Sequence, residues 1–344
     1  MTHKCKVLVV GGGVMGASVA WHLTKAGAAV TLIDSGPGST PSATAASFGW
    51  VGGSASTPSD DPVAFALRLH ALDEFKRLER DWGLLPVTVR GALLWGATTD
   101  ETADLIAEHL AAGSKIESLS GQQLRQKEPL LVAPPDLAAW APDDFALEPT
   151  DLARCFIQAA RAEGASVLSG TVQAVLYAQG RAKGVELQGQ SIYADKVVLA
   201  NGYGAVALAA GIGVDLAIEQ QPAVLMRFDA GKNVIQHLLC AQDLELRPGK
   251  EAGLMSALDY PQQGEAGLQA LADETCQAIA QLLQLPVPPR LHSIEVGFRP
   301  MTLSKLPLCG PIGAVEDLFA VIAHPGVILA PLLGKRAVQA VLAS

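Results

Sequence analysis

The stretch KVLVVGGGVMGASVAWHLTKAGAAVTLID, residues 6–34, constrains the fold of this chain more than any other part. Residues 6–10 are a short continuous apolar run, which is typical of a buried parallel strand. A helix is predicted over 14–26 and ends at Gly27, before a second strand, AVTLID. The glycines between the first strand and the helix fit the pattern GxGxxG and are Gly11, Gly13 and Gly16. Together these elements predict the first βαβ unit of a nucleotide-binding domain.

Each position in this unit has a separate physical role. Gly11 permits the tight turn, Gly13 lets the backbone approach a pyrophosphate, and Gly16 lets the helix pack closely on the strand. The helix N-terminus then directs its free N–H groups at the phosphates. Asp34 ends the second strand, where a carboxylate accepts hydrogen bonds from ribose hydroxyls. No arginine follows Asp34 to bind a 2′-phosphate, which disfavours NADP, whereas NAD and FAD share this unit.

Length and composition bound the class of protein. At 344 residues the chain is too long for one ordinary hydrophobic core and suits two domains. Its 49% hydrophobic and 17% charged residues are typical of a well-packed globular protein. The net charge of −9 disfavours nucleic acid and anionic membranes as partners, since both select for basic surface. No apolar run approaches the roughly 20 residues of a membrane span, so none is predicted.

The cysteines predict neither a disulfide framework nor a metal site, because they are odd in number and no pair forms a CxxC motif. Scattered reduced thiols fit a cytoplasmic location, and the first ten residues lack the apolar core of a signal peptide. The five cysteines are Cys5, Cys155, Cys240, Cys276 and Cys309.

Elements of the nucleotide-binding type recur at the start, in the middle and at the end of the chain, and the segments between them suggest a second domain inserted twice. A small, glycine-rich loop is predicted over 39–53. Helices are predicted over 62–82, 100–113, 149–162, 263–284 and 328–342, and strands over 87–96, 196–200 and 318–323.

Six stretches, in this order and spacing, resemble the D-amino-acid oxidase, glycine oxidase and sarcosine oxidase family of FAD-dependent oxidoreductases. They are VVGGGVMGASVAWHLTKAGAAVTLID, TAASFGW, EPTDLARCFIQAARAEGASVLSGTVQAV, VVLANGYGA, GFRPMTLSKLPLCGP and HPGVILAPLLGKRAVQAVL. The likeness covers essentially the whole chain. It implies an α/β fold with a Rossmann-like, GR2-type FAD-binding domain at 1–86, 146–215 and 296–344, and a mixed-sheet substrate domain at 87–145 and 216–295.

The resemblance also implies which residues contact FAD. The resemblance matches the glycine turn and Asp34 to the ADP half of FAD, and Val172 to its adenine. It matches residues 44–47 to the diphosphate and ribityl path. It also matches Trp50 to the flavin ring and residues 326–328 to the N1/O2 edge of the flavin. The full set is Gly11, Gly13, Val14, Met15, Gly16, Asp34, Ser35, Thr44, Ala45, Ala46, Ser47, Trp50, Val172, Ala200, Asn201, Gly202, Arg299, Gly326, Val327 and Ile328.

Arg299 matches the family arginine that binds the substrate carboxylate, a role that suits the planar, two-pronged guanidinium. The implied reaction oxidises the C–N bond of an amino acid or N-substituted amino acid to an imine, with hydride transfer to flavin N5. Arg299 is alternatively an ion-pair residue that meets Glu295 or Asp317. His324 is the second candidate catalytic residue, or else a hydrogen-bonded core histidine.

The sequence also departs from the family. RPxTxDG reads here with Ser304 and Lys305 in place of Asp-Gly, and Gly297 stands where relatives with covalent flavin carry cysteine, which predicts noncovalent FAD. Two alternatives to an amino-acid oxidase therefore stay open. One is a dehydrogenase subunit of a heteromer that passes electrons to a quinone or a partner protein, and the other is an inactive FAD-bound subunit. The partners predicted are a small amine or amino acid and either a second copy of the chain or a redox partner.

Overall fold

The computed structural model describes residues 4–36, 42–242, 244–250 and 253–343. The chain forms two compact units, each assembled from separate stretches of sequence. Unit 1 contains the described residues of 1–45, 149–221 and 298–344, and unit 2 contains those of 46–148 and 222–297. Each unit has its own hydrophobic core.

The described residues form helices and strands in the following order. The helices are α1 Val14–Lys25, α2 Pro62–Trp82, α3 Thr99–Ala111, α4 Gly121–Lys127, α5 Pro149–Ala162, α6 Gly204–Ala210, α7 Leu268–Leu282 and α8 Gly326–Leu342. The strands are β1 Lys6–Val10, β2 Ala29–Asp34, β3 Trp50–Val51, β4 Val87–Trp95, β5 Glu117–Ser120, β6 Leu137–Leu147, β7 Ser166–Ser169, β8 Val172–Ala178, β9 Arg181–Leu187, β10 Gln190–Tyr193, β11 Lys196–Leu199, β12 Ile218–Asp229, β13 Leu238–Ala241, β14 Leu244–Pro248, β15 Leu254–Asp259, β16 Arg290–Thr302, β17 Leu308–Pro311 and β18 Leu318–Ile322.

Unit 1 is built on a six-stranded sheet with the order β17-β18-β11-β1-β2-β7. β1 pairs in parallel with β2 and β11, and β17 runs antiparallel to β18 at one edge. Helix α1 packs on β1, α5 and α8. On the other side, Leu8 and Val10 pack with α6 and with the small antiparallel sheet β8–β10. Because β1 is covered on both faces, its sequence is a continuous apolar run.

Unit 2 is built on a nine-stranded sheet in which β13 and β4 are parallel and β4 and β6 are antiparallel. The strand order is β16-β12-β15-β14-β13-β4-β6-β3, with β5 paired to β6. Helix α7 packs on one face, where Leu246 joins the core. The mixed α/β architecture predicted from the sequence is therefore confirmed. Within the described ranges, no helix combines the length and the apolarity needed to cross a bilayer.

Several predicted elements match the structure closely. Strands 6–10 and 29–34 and helices 62–82 and 149–162 are observed with the predicted bounds. Helix α2 begins after Asp61, whose side chain accepts a hydrogen bond from the backbone N–H of Ala64, and it carries Pro62 in its first turn. Such local start signals are readable without tertiary information.

The prediction of a helix over 263–284 is wrong at its start. Gly264 has a left-handed backbone (φ 67°), and Gly264–Gly267 form a short 3-10 helix. The α-helix begins only at Leu268. Helix α8 begins two residues before the predicted 328, and Pro325, which has extended backbone, occupies the position directly ahead of Gly326.

The compact units divide the chain at different residues from the predicted domains. Residues 46–86, which the prediction assigns to the FAD-binding domain, belong to unit 2. There β3 pairs with β6, and Phe75 of α2 packs edge-on against Phe145 at a centroid distance of 5.5 Å. Which stretches hold the cofactor and which hold the substrate stays a prediction.

Arg247 is the largest fully buried side chain of unit 2. Its guanidinium donates to the Glu148 carboxylate (2.9 Å) and to the Phe48 carbonyl oxygen (2.6 Å). Burial lowers the pKa of Arg247, and the neighbouring carboxylate opposes that shift. Arg247 therefore connects three segments of unit 2 that are distant in sequence, those around Phe48, Glu148 and Arg247 itself. Its buried positive charge is neutralised by the Glu148 carboxylate.

Replacement of Arg247 by alanine is expected to destabilise the protein by about 3–5 kcal/mol, because the Glu148 carboxylate and the Phe48 carbonyl then lose their buried partner. Chemical denaturation of the FAD-loaded protein measures the change. Arg77→Ala is the control, since it removes a partly exposed arginine paired with Glu74 and Asp81 and is expected to cost at most about 1 kcal/mol. Equal losses in the two variants would contradict this account.

Candidate functional site

The glycine turn of unit 1 is fixed by close backbone approach. Gly11 has a left-handed backbone (φ 102°), and a Cβ added there would lie 2.6 Å from Cα of Asn201. A Cβ at Gly16 would lie 1.9 Å from the carbonyl oxygen of Gly11. No side chain can occupy either position unless the backbone moves. The roles predicted for these two glycines, a tight turn and close helix packing, therefore have a direct geometric basis.

The N-terminus of α1 has no side-chain cap from the residue that precedes it. Gly13 precedes the helix and provides no side-chain cap. The N–H of Val14 donates to Oγ1 of Thr44 (3.1 Å), and a Cβ at Gly13 would lie 2.9 Å from that oxygen. Met15 lies in the buried first turn. Helix N-termini carry a partial positive charge, so this end of α1 suits a phosphate.

Asp34 lies at the end of β2, beside the glycine turn. Its Oδ2 accepts a hydrogen bond from the N–H of Gly12 (2.6 Å), and its Oδ1 accepts one from the N–H of Gly36 (2.8 Å). Each carboxylate oxygen retains a further lone pair, so the group can still accept from hydroxyls. Ser35 follows it and is partly buried.

Asn201 follows β11 and packs against Gly11. Its Oδ1 is buried and has no hydrogen-bond partner among the described residues. Ala200 before it is buried, and Gly202 after it has a left-handed backbone (φ 60°). An orphaned buried acceptor beside a steric cradle of glycines is what a bound polar ligand would satisfy. The residues of this turn therefore fit a dinucleotide.

A second open helix end lies in the same unit. The 17-residue helix α8 begins at Gly326 after Pro325, which provides no side-chain cap. A Cβ added at Gly326 would meet no atom within 4 Å, so there is open space beside the first residue of the helix. Val327 and Ile328 are buried, and His324 is partly buried. This end can stabilise negative charge on a ligand.

The remaining predicted cofactor residues are spread over both units. In unit 1, Val172 begins β8 and is partly buried, as is Ala45. In unit 2, Ala46 and Ser47 are partly buried, and Trp50 begins β3. Of the predicted loop 39–53, residues 39–41 lie outside the described residues.

Arg299 lies on β16, in the part of the strand that belongs to unit 1. The residue is partly buried, and its Nε is a buried atom. The two carboxylates that sequence analysis offered as structural partners each have another arginine. Glu295 accepts from Arg227 (2.6 Å), and Asp317 accepts from Arg181 (2.7 Å).

Two features of the structure bear on the mode of cofactor attachment and on metal binding. A Cβ added at Gly297 would lie 2.7 Å from Cβ of Ala46, closer than real Cβ contacts come, so position 297 has no room for a larger residue. No group of three His, Cys, Asp or Glu side chains within the described ranges is placed to hold a metal ion.

The model of the family "DAO: FAD dependent oxidoreductase" matches residues 6–340. The chain belongs to this family. It is thus an FAD-dependent oxidoreductase, and the resemblance drawn from the motifs is confirmed.

Known relatives agree with this assignment. Glycine oxidase of Geobacillus kaustophilus (strain HTA426) is 25% identical over 352 residues, which cover 97% of this chain and 92% of that protein. The crystal structure of glycine oxidase from Geobacillus kaustophilus superposes with a TM-score of 0.80 at 22% identity, over 100% of this chain and 96% of that one. Iminodiacetate oxidase from Chelativorans sp. BNC1 gives 0.81 at 19% identity, over 98% and 95%. These two solved structures share the fold.

Unit 2 of the oxidoreductase also contains a buried carboxylate that sequence analysis missed. Asp144 is 4% exposed, and its Oδ2 accepts from Nε1 of Trp50 (2.9 Å) and from the N–H (3.2 Å) and hydroxyl (2.5 Å) of Ser54. Burial raises the pKa of Asp144, and these hydrogen bonds oppose the shift. A Cβ at Gly52 would lie 2.0 Å from the carboxylate. Asp144 therefore fixes the indole of Trp50 and the chain that follows it.

Glu245 and Arg68 are two further ionisable residues that sequence analysis missed. Burial and the charge of Asp259 raise the pKa of Glu245, Arg68 opposes them, and the net pKa is about 7. Burial lowers the pKa of Arg68, against the attraction of Asp144 and Glu245. The signal available in the sequence was LELRP, in which 245 and 247 are charged while 244 and 246 are apolar.

Replacement of Asp34 by alanine is expected to weaken FAD binding by about 10- to 100-fold, because a charged acceptor at the glycine turn is removed. Equilibrium dialysis or flavin fluorescence of the reconstituted protein measures the affinity. Asp195→Ala is a matched control, since Asp195 accepts from the N–H of Lys6 (2.7 Å) at the opposite end of β1. Unchanged FAD affinity in Asp34→Ala, or an equal loss in both variants, would refute the role of Asp34.

Glu245→Gln is expected to change the pH dependence of unfolding. The pKa of Glu245 is about 7 in the folded protein and near its ordinary value of 4.5 when unfolded. Its contribution to stability is therefore full below pH 4.5 and is lost as pH rises through 7. Relative to Glu245→Gln, the natural protein should lose about 2 kcal/mol between pH 5 and 8. Denaturation curves at several pH values give this difference, and parallel curves would contradict the assignment.

Proposed function

We propose that this FAD-dependent oxidoreductase oxidises the C–N bond of an amino acid or N-substituted amino acid, and that Arg299 binds the substrate carboxylate. The observation that carries the proposal is a partly buried arginine on β16, in the same unit as the glycine turn, whose Nε is a buried atom. The likeness to glycine oxidase, whose name states an amino-acid substrate, supports the substrate class.

The residues that would hold the cofactor follow from the site geometry. We assign the diphosphate to the α1 N-terminus and the glycine turn, the ribose to Asp34, and a polar contact to the orphaned Oδ1 of Asn201. The open N-terminus of α8 would stabilise negative charge on the flavin ring system. Bound FAD supplies the two-electron acceptor of the oxidation. Noncovalent attachment is supported by the lack of space at Gly297.

Arg299 contributes binding and orientation. Its guanidinium forms two parallel hydrogen bonds to a carboxylate, which fixes the rotation of the substrate as well as its position. Holding one end of the molecule leaves the adjacent Cα–N bond in a defined place, and such orientation supplies a large share of the rate. Loss of hydride from Cα of the unprotonated amine would give an iminium ion, the protonated form of the imine, and water would hydrolyse it after or before the proton leaves. His324 stays a predicted residue of this site.

The Arg299 assignment is tested by Arg299→Ala and Arg299→Lys. The Arg299→Ala variant should retain FAD. Its KM for a substrate with a carboxylate should rise by about 100- to 1,000-fold, because a bidentate ion pair is lost. The Arg299→Lys variant keeps the positive charge but cannot form two parallel hydrogen bonds, so its KM should lie between those of the natural protein and Arg299→Ala. Anaerobic flavin bleaching against a panel of amino acids, N-methyl amino acids, imino acids and opines measures reduction without depending on the electron acceptor.

Two controls make this test selective. Arg181→Ala removes a surface arginine of the same unit, and it should change neither FAD content nor KM. Amines without a carboxylate should bleach the flavin equally in the natural protein and in Arg299→Ala. Loss of FAD with intact catalysis in Arg299→Ala would show that the arginine is structural. Flavin that no member of the panel reduces, in folded protein, would refute the proposed reaction and favour an inactive FAD-bound subunit.

A further inference from the structure

Two helices of unit 1 begin at the same edge of its sheet. β11 pairs in parallel with both β1 and β18, so these three strands end at one edge. Helix α1 follows β1, α8 follows β18, and the two helices pack against each other. Their first residues therefore lie at the carboxyl edge of the sheet, where open α/β sheets bind ligands. Just after β11, the buried Oδ1 of Asn201 lacks a partner among the described residues, which is an independent sign of a ligand at this edge.

A side-chain hydrogen bond crosses from α1 to α8. Ser18 is fully buried, and its hydroxyl donates to the carbonyl oxygen of Ala330 (2.7 Å). Ser18 is the fifth residue of α1, and Ala330 is the fifth residue of α8. At the rise of an α-helix, the bond lies about 6 Å along the axis from each helix start. It therefore anchors α8 to α1 roughly one turn away from both N-termini.

His22 fixes the direction of this hydroxyl. Its Nδ1 lies 2.9 Å from the carbonyl oxygen of Ser18 and 3.3 Å from the Oγ of Ser18. A carbonyl oxygen only accepts hydrogen bonds, so Nδ1 carries the proton and donates. The Ser18 hydroxyl thus receives from His22 and donates to Ala330, and the two bonds reinforce each other.

Helix α8 is weakened at the level of this bond. Pro331 lies inside the helix and has no N–H, so the carbonyl of Val327 loses its intrahelical donor. The first turn is therefore held to the rest of α8 by fewer hydrogen bonds than in an ordinary helix, and Ser18 binds the last residue before the proline. A Cβ at Gly334 would collide with Oγ of Ser18 and lie 2.6 Å from Nδ1 of His22, so the glycine lets the two helices approach.

We propose that Ser18 is a positioning residue that anchors the first turn of α8 and thereby tunes the reduction potential of bound FAD. This role rests on the proposed function, in which the N-terminus of α8 stabilises negative charge on the flavin ring system. Reduction by two electrons increases that charge, and a helix N-terminus acts only over its first turn. Loss of the Ser18 bond should therefore destabilise the reduced cofactor more than the oxidised one. FAD should be retained, because its diphosphate is assigned to α1.

The test compares Ser18→Ala with Thr24→Val in the FAD-loaded protein. Thr24 is also buried on α1, and its hydroxyl donates to a carbonyl oxygen at the same distance of 2.7 Å, but the acceptor is Ala20 of its own helix. Each variant removes one buried hydroxyl, and alanine favours a helix, so the Ser18→Ala protein should fold. The potential is measured without oxygen, by reduction with dithionite beside a reference dye, which requires no substrate.

Ser18→Ala should shift the reduction equilibrium toward oxidised FAD by about three- to tenfold, as expected for a helix-terminus interaction, and so lower the two-electron potential by about 14 to 30 mV. Thr24→Val should leave the potential unchanged. Amide hydrogen exchange of residues 327–333 should become faster in Ser18→Ala and not in Thr24→Val.

An unchanged potential in Ser18→Ala, or an equal fall in Thr24→Val, would overturn the proposal. Faster exchange without a change in potential would also overturn it, since a purely structural bond gives that result. Flavin bleaching by amines distinguishes this role from the proposed function. If amines reduce the flavin while Ser18→Ala keeps the natural potential, the reaction stands and the role of Ser18 is refuted. If the potential falls as expected while no amine reduces the flavin, the role of Ser18 stands and the reaction is refuted.

Discussion

The packing of α1 directly on the turn after β1 is the constraint on which unit 1 depends. A Cβ at Gly16 would lie 1.9 Å from the Gly11 carbonyl oxygen, so the helix and the turn are in backbone contact. This contact aims the first N–H groups of α1 across the carboxyl edge of the sheet, where β2 delivers Asp34 and β11 delivers Asn201. Three separated pieces of sequence thereby meet at one glycine turn, because β1 lies between β11 and β2 and all three strands are parallel.

Unit 2 shows how a sheet can carry charge on a buried face. Arg247 is tolerated there because Glu148 and two carbonyl oxygens satisfy its guanidinium. Asp144 is tolerated because an indole and a serine donate to it. Glu245 has no equivalent set of donors among the described residues, and burial raises its pKa.

The sequence predicted the parts of the fold that local physics decides. The apolar run of β1, the Asp61 and Pro62 start of α2, and the glycine turn before α1 need no tertiary information. The predicted start of α7 was wrong because Gly264 has a left-handed backbone, which the residue type permits but does not require. Within the candidate site, Asp34 was readable from its fixed distance after the glycines. Arg68, Asp144 and Glu245 were not, since only strand pairing and helix packing bring residues so far apart in the chain together.

The close approach of Gly297 to Ala46 restricts which side chains position 297 can carry. A side chain at this position must displace Ala46, whose Cβ would be 2.7 Å away. A cysteine at 297 would therefore fit only if the backbone moved or position 46 lost its methyl group, as it would in Ala46→Gly. The size of the side chain at position 46 thus limits which residues position 297 can carry.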